Sequence, residues 1–226
     1  MKVFVLSGSS SIGQAAIRVL LDAGHEVCAT YRPGVPEGLD RATWVHADVR
    51  STDDLDALAG PAEGADVLLL LPGLSLGLKL EAYDDDRISD VVDVNFSGQF
   101  RAIQRMAPVL ADGSQIIILG SQAGQRGSND PLYGATKGAM HALAKSLAKS
   151  LAPRTRVNVV APGMVTGTAM HDDTPPAVLD MHINTTPTGH LMSVADLAHV
   201  LLDIMQPHWA QLNGACIDLN GGMYVR

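Results

Sequence analysis

The sequence predicts an α/β fold, a doubly wound parallel sheet covered by helices on both sides in three αβα layers. Three observations predict it. Short apolar runs of strand length alternate with amphipathic helical stretches nearly to the end of the chain. These runs are unbroken rather than alternating apolar and polar, as expected of parallel strands buried on both faces. Their order is βαβα, which right-handed crossovers turn into a parallel sheet. With 226 residues, 46% apolar and 18% charged, the chain suits a single domain, 1–226, with a full core.

Taken in order, residues 3–6 form the first strand and run into a turn of small residues, LSGSSSIGQAAI, that opens a helix over 12–23. Strands follow at 26–31 and 43–46, then a short helix at 53–58 and a strand at 67–71. A long helix is predicted over 88–110, where Ile88, Val92, Phe96, Phe100, Ile103 and Ala107 form one apolar stripe. The strand at 115–119 precedes DPLYGATKGAMHALAKSLAKSL, with apolar or site residues every three or four positions from Tyr133 to Leu151. Pro131 suits its first turn, where a missing N–H costs nothing. A strand at 156–161 leads to 163–190, rich in Pro, Thr, Asp, Met and His and predicted to be an irregular lid or binding loop. Ser193-Val194-Ala195-Asp196 is a capping box before a helix at 195–205, and 215–219 is the last strand.

Composition excludes several functions. A net charge of −8 without a basic stripe argues against nucleic acid. No apolar run approaches membrane-spanning length, and the N-terminus opens into a strand rather than a signal peptide. Cys28 and Cys216 lie in strand-like segments without ligand spacing and read as reduced residues of a cytoplasmic protein. The scattered histidines form no HExxH-like pair, so no metal is assigned.

Three stretches carry chemistry. Tyr133 and Lys137 stand one helical turn apart on one face. An ammonium there favours the phenolate and lowers the tyrosine pKa, suiting proton transfer in a carbonyl/alcohol interconversion. The other reading is a buried-edge tyrosine with a lysine reaching past it. The turn after the first strand offers backbone N–H groups and a helix N-terminus to a phosphate, or is a plain turn. Gly8 and Gly13 have P-loop spacing, but Gln14 and Ala15 replace its Lys and Ser/Thr, which argues against nucleotide hydrolysis. The second strand ends in Tyr31-Arg32 with no acid, which favours NADP(H) over NAD(H) if a dinucleotide binds.

With these pieces together, the chain resembles the short-chain dehydrogenase/reductase family along almost its whole length, in the ketoreductase-like branch, whose fold is Rossmann-like. Tyr133-x-x-x-Lys137 matches the family's active-site motif. Ser121, in IIILGSQAG, stands where the family keeps its serine, and Asn95, in VVDVNFSGQF, matches the helix asparagine. Asp48-Val49 matches the pair at the adenine end of the cofactor. Pro162-Gly163, in APGMVTGTAM, matches the turn beside the nicotinamide, followed by Val165 and by Thr166 or Thr168 as the nicotinamide-side threonine. NGACIDLNGG matches the C-terminal strand and its ending.

Two stretches depart from the family pattern. The glycine-rich turn TGxxxGxG aligns without a gap as Leu6, Ser7, Ser11 and Gly13, whereas a one-residue gap puts Gly8 on the first glycine. A serine there either crowds the backbone or donates an extra bond to phosphate. The family's NNAG is Leu70-Leu71-Pro72-Gly73, where leucines cannot make the asparagines' hydrogen bonds between central strands and only Gly73 survives.

The resemblance implies an oxidoreductase in which NADPH gives hydride to a ketone or 3-oxoacyl-type carbonyl. Tyr133 donates the proton, Ser121 binds the carbonyl oxygen, Lys137 lowers the tyrosine pKa and binds ribose, and Asn95 holds a water leading to solvent. The implied cofactor site comprises Ser7, Gly8, Ser10, Ser11, Ile12, Gly13, Tyr31, Arg32, Asp48, Val49, Gly73, Pro162, Gly163, Val165, Thr166 and Thr168. Leu74, Leu132, Met164, Met170 and Met181, with His171 or His182 at the mouth, line an apolar substrate pocket or simply pack a loop. The family also implies a homodimer or homotetramer through the helices at 88–110 and 133–151. A fold-retaining NADP(H)-binding regulator and a dehydratase, isomerase or epimerase are the alternatives. A serine hydrolase is disfavoured because Gly120-Ser121-Gln122-Ala123-Gly124 is not G-x-S-x-G.

Overall fold

Strand β1 (Lys2–Leu6) shows how the sheet is made. Val3 and Val5 face one side and Phe4 and Leu6 the other, and all four are fully buried. Each such side chain contributes about 1.5–3 kcal/mol of hydrophobic stabilisation. The structure, a computed structural model, describes residues 1–225. Its sheet has seven parallel strands in the order β3-β2-β1-β4-β5-β6-β9. The remaining strands of this sheet are β2 (Glu26–Tyr31), β3 (Thr43–His46), β4 (Val67–Leu70), β5 (Ser114–Leu119), β6 (Thr155–Pro162) and β9 (Cys216–Leu219).

Helices α1 (Ser11–Asp22) and α10 (Val194–Ile204) cover the Val3/Val5 face. On the other face lie α2 (Thr52–Asp56), α3 (Ala59–Ala62), α4 (Asp85–Val92), α5 (Gly98–Met106) and α7 (Pro131–Ser150). The strand order reverses at β1, whose neighbours are β2 on one side and β4 on the other. In open sheets of this kind the ligand crevice lies at that switch, beyond the carboxyl ends of the strands. The turn after β1, the ends of β4 and β5, and the start of α7 all converge there.

The expected elements are present, with ends displaced by a residue or two, and three stretches correct the sequence reading. The helix expected at 53–58 stops at Asp56, and α3 forms separately around Pro61. The single helix expected over 88–110 is interrupted by a π-helical turn at Asp93–Ser97. Its apolar stripe is buried only in part: Ile103 and Ala107 lie in the core and Phe96 packs against it, but Ile88 is 40% and Phe100 42% exposed. Val91, Asn95, Gln99, Ala102 and Met106 face inward instead. The π turn advances the register, and the amide groups of Asn95 and Gln99 donate to loop and helix backbone. The stretch 163–190 is not irregular. It contains β7 (Val165–Thr166), α8 (Ala169–Asp172), capped by Thr168, and α9 (Pro176–Thr185), with proline at its first position; β7 pairs with β8 (Met192–Ser193).

Candidate active site

Ser121 lies two residues beyond the end of β5 and is buried. Its Oγ accepts from Ala123 N–H at 3.1 Å, and its own N–H points at His141 Nε2, 3.4 Å away. The next residues form α6 (Ala123–Arg126), pressed against α7 so closely that a Cβ on Gly124 would stand 2.7 Å from Gly138 N. That contact brings Ser121 to Tyr133. Ser121 acts on the Tyr133 phenol, and Tyr133 and Lys137 share a helix face, with Nζ 5.9 Å from the ring centroid.

The electrostatics differ from the expectation. Burial pushes the Tyr133 phenol above its ordinary value, Ser121 pulls it back, and the Asp130 carboxylate pushes it up again. Lys137 does not bring it below the ordinary value. Its ammonium is directed to the carbonyls of Leu119 at 2.8 Å and Pro72 at 3.3 Å, and burial pulls its pKa down to about 8. Asn95, at the centre of the π turn, is fully buried rather than facing solvent. Its Oδ1 accepts from Leu74 N–H at 2.7 Å, and its Nδ2 donates to Leu74 O at 2.8 Å and Thr136 Oγ1 at 3.1 Å. Those bonds use the side-chain amide to fix the loop after β4 to α7. Gln99 does likewise, donating to Pro72 O at 3.2 Å. These two side chains tie down the loop where the sequence has leucines in place of asparagines.

The turn after β1 bears on both alignments. Ser7 has φ of +66°, the left-handed conformation that favours glycine, while a Cβ on Gly8 would stand 2.7 Å from Ala29 Cβ, so both positions of the two alignments suit glycine. Its N–H donates to Thr30 Oγ1 at 2.8 Å. Ser10 caps α1, accepting from Gly13 N–H at 3.1 Å and donating to Ser7 O at 2.8 Å. A Cβ on Gly13 would stand 2.4 Å from Ser7 O, so the helix start meets the turn only because that residue is glycine. Ser11 and Ile12 are the first residues of α1, whose N–H groups have no intrahelical acceptor. Gly8 packs on Ala29 and Trp44.

At the ends of β2 and β3, Tyr31 meets Trp44 and His46 edge-on, and Arg32 bonds Asp48 at 2.7 Å. Arg50, not foreseen from the sequence, reaches Asp48 at 2.8 Å and Asp90 at 2.8 Å. Its hydrogen bonds, with the charge of Arg32, hold the Asp48 carboxyl well below the usual carboxylate range. Arg32 is therefore part of an Arg–Asp–Arg cluster rather than a solitary surface cation. The Val49 side chain is buried in the core.

Pro162 ends β6, where its carbonyl accepts from Gln122 N–H at 3.0 Å, and Gly163 N–H donates to Leu219 O at 3.0 Å. Val165 is buried in the core, Thr166 lies in β7, and Thr168 Oγ1 caps α8 by accepting from His171 N–H at 3.2 Å. Thr166, His171, Leu179, Ile183 and His190 line a cleft of about 350 Å³ under α9. Met170 and Met181 are exposed rather than lining it.

Sequence reading also missed Asp130. It is buried and caps α7 by accepting from Tyr133 N–H at 3.0 Å, a role that an aspartate just before a helical proline signals.

Residues 7–224 match the family model described as enoyl-(acyl carrier protein) reductase. The 3-oxoacyl-[acyl-carrier-protein] reductase MabA of Mycobacterium tuberculosis is 29% identical over 233 residues, covering 98% of this chain and 92% of its own. A crystal structure of a short-chain dehydrogenase/reductase from Brucella melitensis is similar with TM-score 0.89 and 27% identity, covering 100% of this chain and 97% of that one. BdcA, solved in complex with NADPH, is similar with TM-score 0.88 and 25% identity, covering 97% and 93%.

Proposed function

The chain belongs to the short-chain dehydrogenase/reductase family, and on that premise we propose that it is an NADP(H)-dependent reductase of a ketone or 3-oxoacyl-type carbonyl. The observation that carries this reading is the convergence of three side chains: Ser121 beyond the end of β5, Tyr133 in the first turn of α7, and Lys137 one turn further, its ammonium 5.9 Å from the Tyr133 ring centroid. A hydroxyl and a phenol converging on one point suit polarisation and protonation of a carbonyl oxygen.

The residues at the crevice fit a nicotinamide dinucleotide. The absent side chain of Gly73 leaves an open approach to Lys137, since a Cβ there would lie 3.4 Å from Nζ. The first turn of α1 offers N–H groups to a pyrophosphate, and Arg32 and Arg50 offer cations to a 2′-phosphate. A bound dinucleotide would be held by Gly8, Ser10 and Gly13 at the pyrophosphate turn, by Tyr31, Asp48 and Val49 at the adenosine end, and by Pro162, Gly163, Thr166 and Thr168 at the nicotinamide end. The cofactor supplies the hydride when bound.

Ser121 Oγ donates to the substrate oxygen and stabilises its growing negative charge. Tyr133 gives that oxygen its phenolic proton, and burial keeps the phenol protonated at neutral pH. Lys137, whose ammonium faces the Pro72 and Leu119 carbonyls, would hold the ribose hydroxyls of a bound cofactor, and its positive charge steadies the phenolate left behind. Asn95 holds the loop after β4 in place beside Lys137.

NADPH fluorescence enhancement on binding, followed by NADPH oxidation with 3-oxoacyl thioesters, simple ketones and 2-enoyl thioesters, tests the reading. Oxidation with the first two supports it. Oxidation only with enoyl thioesters, or binding without any oxidation, would replace it with enoyl reduction or cofactor sensing. Assembly as a homodimer or homotetramer is part of the same proposal, and the exposed Ile88 and Phe100 of α4 and α5 support it. Among the described residues no helix is long and apolar enough to cross a membrane.

A further inference from the structure

We propose that Asp130 is a positioning residue that latches the loop after β4 to the first turn of α7 and so fixes Tyr133 against Ser121. The inference rests on the catalytic reading of Tyr133 given above.

The Asp130 carboxylate is 4% exposed and accepts five hydrogen bonds. Oδ1 takes the Tyr133 N–H at 3.0 Å and the Tyr83 hydroxyl at 2.6 Å. Oδ2 takes the Ser75 hydroxyl at 2.8 Å, Leu76 N–H at 3.1 Å and Gly77 N–H at 3.0 Å. All five partners are donors, and only a carboxylate presents acceptors on both atoms. An asparagine would turn an NH2 group toward two or three of them.

Helix capping alone does not call for this arrangement. Serine or asparagine caps a helix as well as aspartate does, and without burying a charge. The extra donors come from 75–83, a segment far away in sequence. The loop is sewn along α7 at three points: Pro72 O to Lys137, Leu74 through Asn95 to Thr136, and Ser75 to Gly77 on Asp130. Asp130 is the last stitch, one turn before the reacting phenol. Its negative charge also acts on that phenol, holding its proton more tightly. The groups facing Tyr133 are Asp130 and Lys137 on its own helix and Ser121 from the end of β5, with Tyr83 behind Asp130 and His141 behind Ser121.

The test has two arms on the full chain. In the first, phenolate absorbance is titrated in Tyr83→Phe protein, with Tyr133→Phe added to identify the Tyr133 step; this needs neither cofactor nor turnover. Adding Asp130→Asn, or Asp130→Ser, which still caps the helix, is expected to move that step to lower pH, because a negative charge beside the phenol is removed. In the second, both single variants are expected to lose about tenfold to a hundredfold in kcat for a 3-oxoacyl thioester, with NADPH affinity unchanged. Circular dichroism establishes that each variant is folded. A Tyr133 step in Tyr83→Phe/Asp130→Ser equal to that of the Tyr83→Phe parent, together with a kcat in folded Asp130→Ser equal to that of the unmodified protein, would reduce Asp130 to a helix cap and overturn the proposal. If the unmodified protein binds NADPH but reduces no carbonyl, the catalytic reading fails, while the absorbance arm still decides whether Asp130 acts on Tyr133.

Discussion

Lys137 Nζ donates to the backbone carbonyl of Leu119 at 2.8 Å, joining the helix that carries Tyr133 to the strand that leads to Ser121. The bond sets the ammonium between strand and phenol, and its burial has a consequence for stability. Lys137 holds its proton less tightly in the folded state than in the unfolded chain, where a lysine titrates near 10.4, and its folded pKa is about 8. Between those values the unfolded chain binds more protons, so this group's contribution to stability rises with pH from about 8 to about 10. Lys137→Met removes that contribution. The melting temperature of the unmodified protein should gain on that of the variant across this window, and parallel pH profiles would contradict it.

Tyr133→Phe keeps the ring and its packing and removes the acid. NADPH binding should be retained while kcat for carbonyl reduction falls by about 10²–10⁴, the range for losing a positioned general acid. Fluorescence titration and steady-state rates measure the two separately, and an active Phe variant would remove the acid role.

Ser121→Ala should lower kcat by about 10²–10³, as for a lost oxyanion donor. It should also move the pH profile in a defined direction. Ser121 pulls the Tyr133 phenol down, so its removal lets the phenol hold its proton to higher pH. Reduction needs the protonated phenol, and the alkaline limb of kcat should therefore shift upward.

Arg32→Ala and Arg50→Ala test cofactor choice. Each removes a cation beside Asp48, and each charge-assisted bond to a phosphate is worth about 1.5–3 kcal/mol. The KM for NADPH should rise about tenfold or more in either variant, with that for NADH little changed. Equal effects on both cofactors would show that the arginines do not read the 2′-phosphate.

Ser7→Gly should stabilise the fold. A serine at φ +66° bears a left-handed penalty of about 1–2 kcal/mol, part of which glycine's flexibility in the unfolded chain takes back. A net gain of about 1 kcal/mol corresponds to about 2–4 °C in melting temperature for a chain of this size. A lower melting temperature would mean that the serine makes a compensating contact.

Much of this molecule was legible from local pattern. Strand-length apolar runs gave the parallel sheet because both faces of each strand are covered, and Val3 with Phe4 shows both sides of that burial. The pairing of Tyr133 with Lys137 follows from helical geometry alone. Other features were missed for identifiable reasons. The π turn at Asp93–Ser97 has no composition signature, and beyond it Phe100 falls on the surface while Gln99 and Ala102 face the core. The segment 163–190 looked structureless because its helices α8 and α9 are short and lie on the surface.

By itself, then, the sequence determined the architecture and the order of the candidate groups, because backbone periodicity and burial are local properties of a chain. Only the tertiary structure decided that Lys137 faces Leu119, that Arg32 and Arg50 share Asp48, and that Asp130 gathers donors from as far as 55 residues away. Hydrogen bonds demand partners within about 3 Å. Which strand end meets which helix turn at that distance is fixed by sheet order and packing, and no spacing along the chain encodes it.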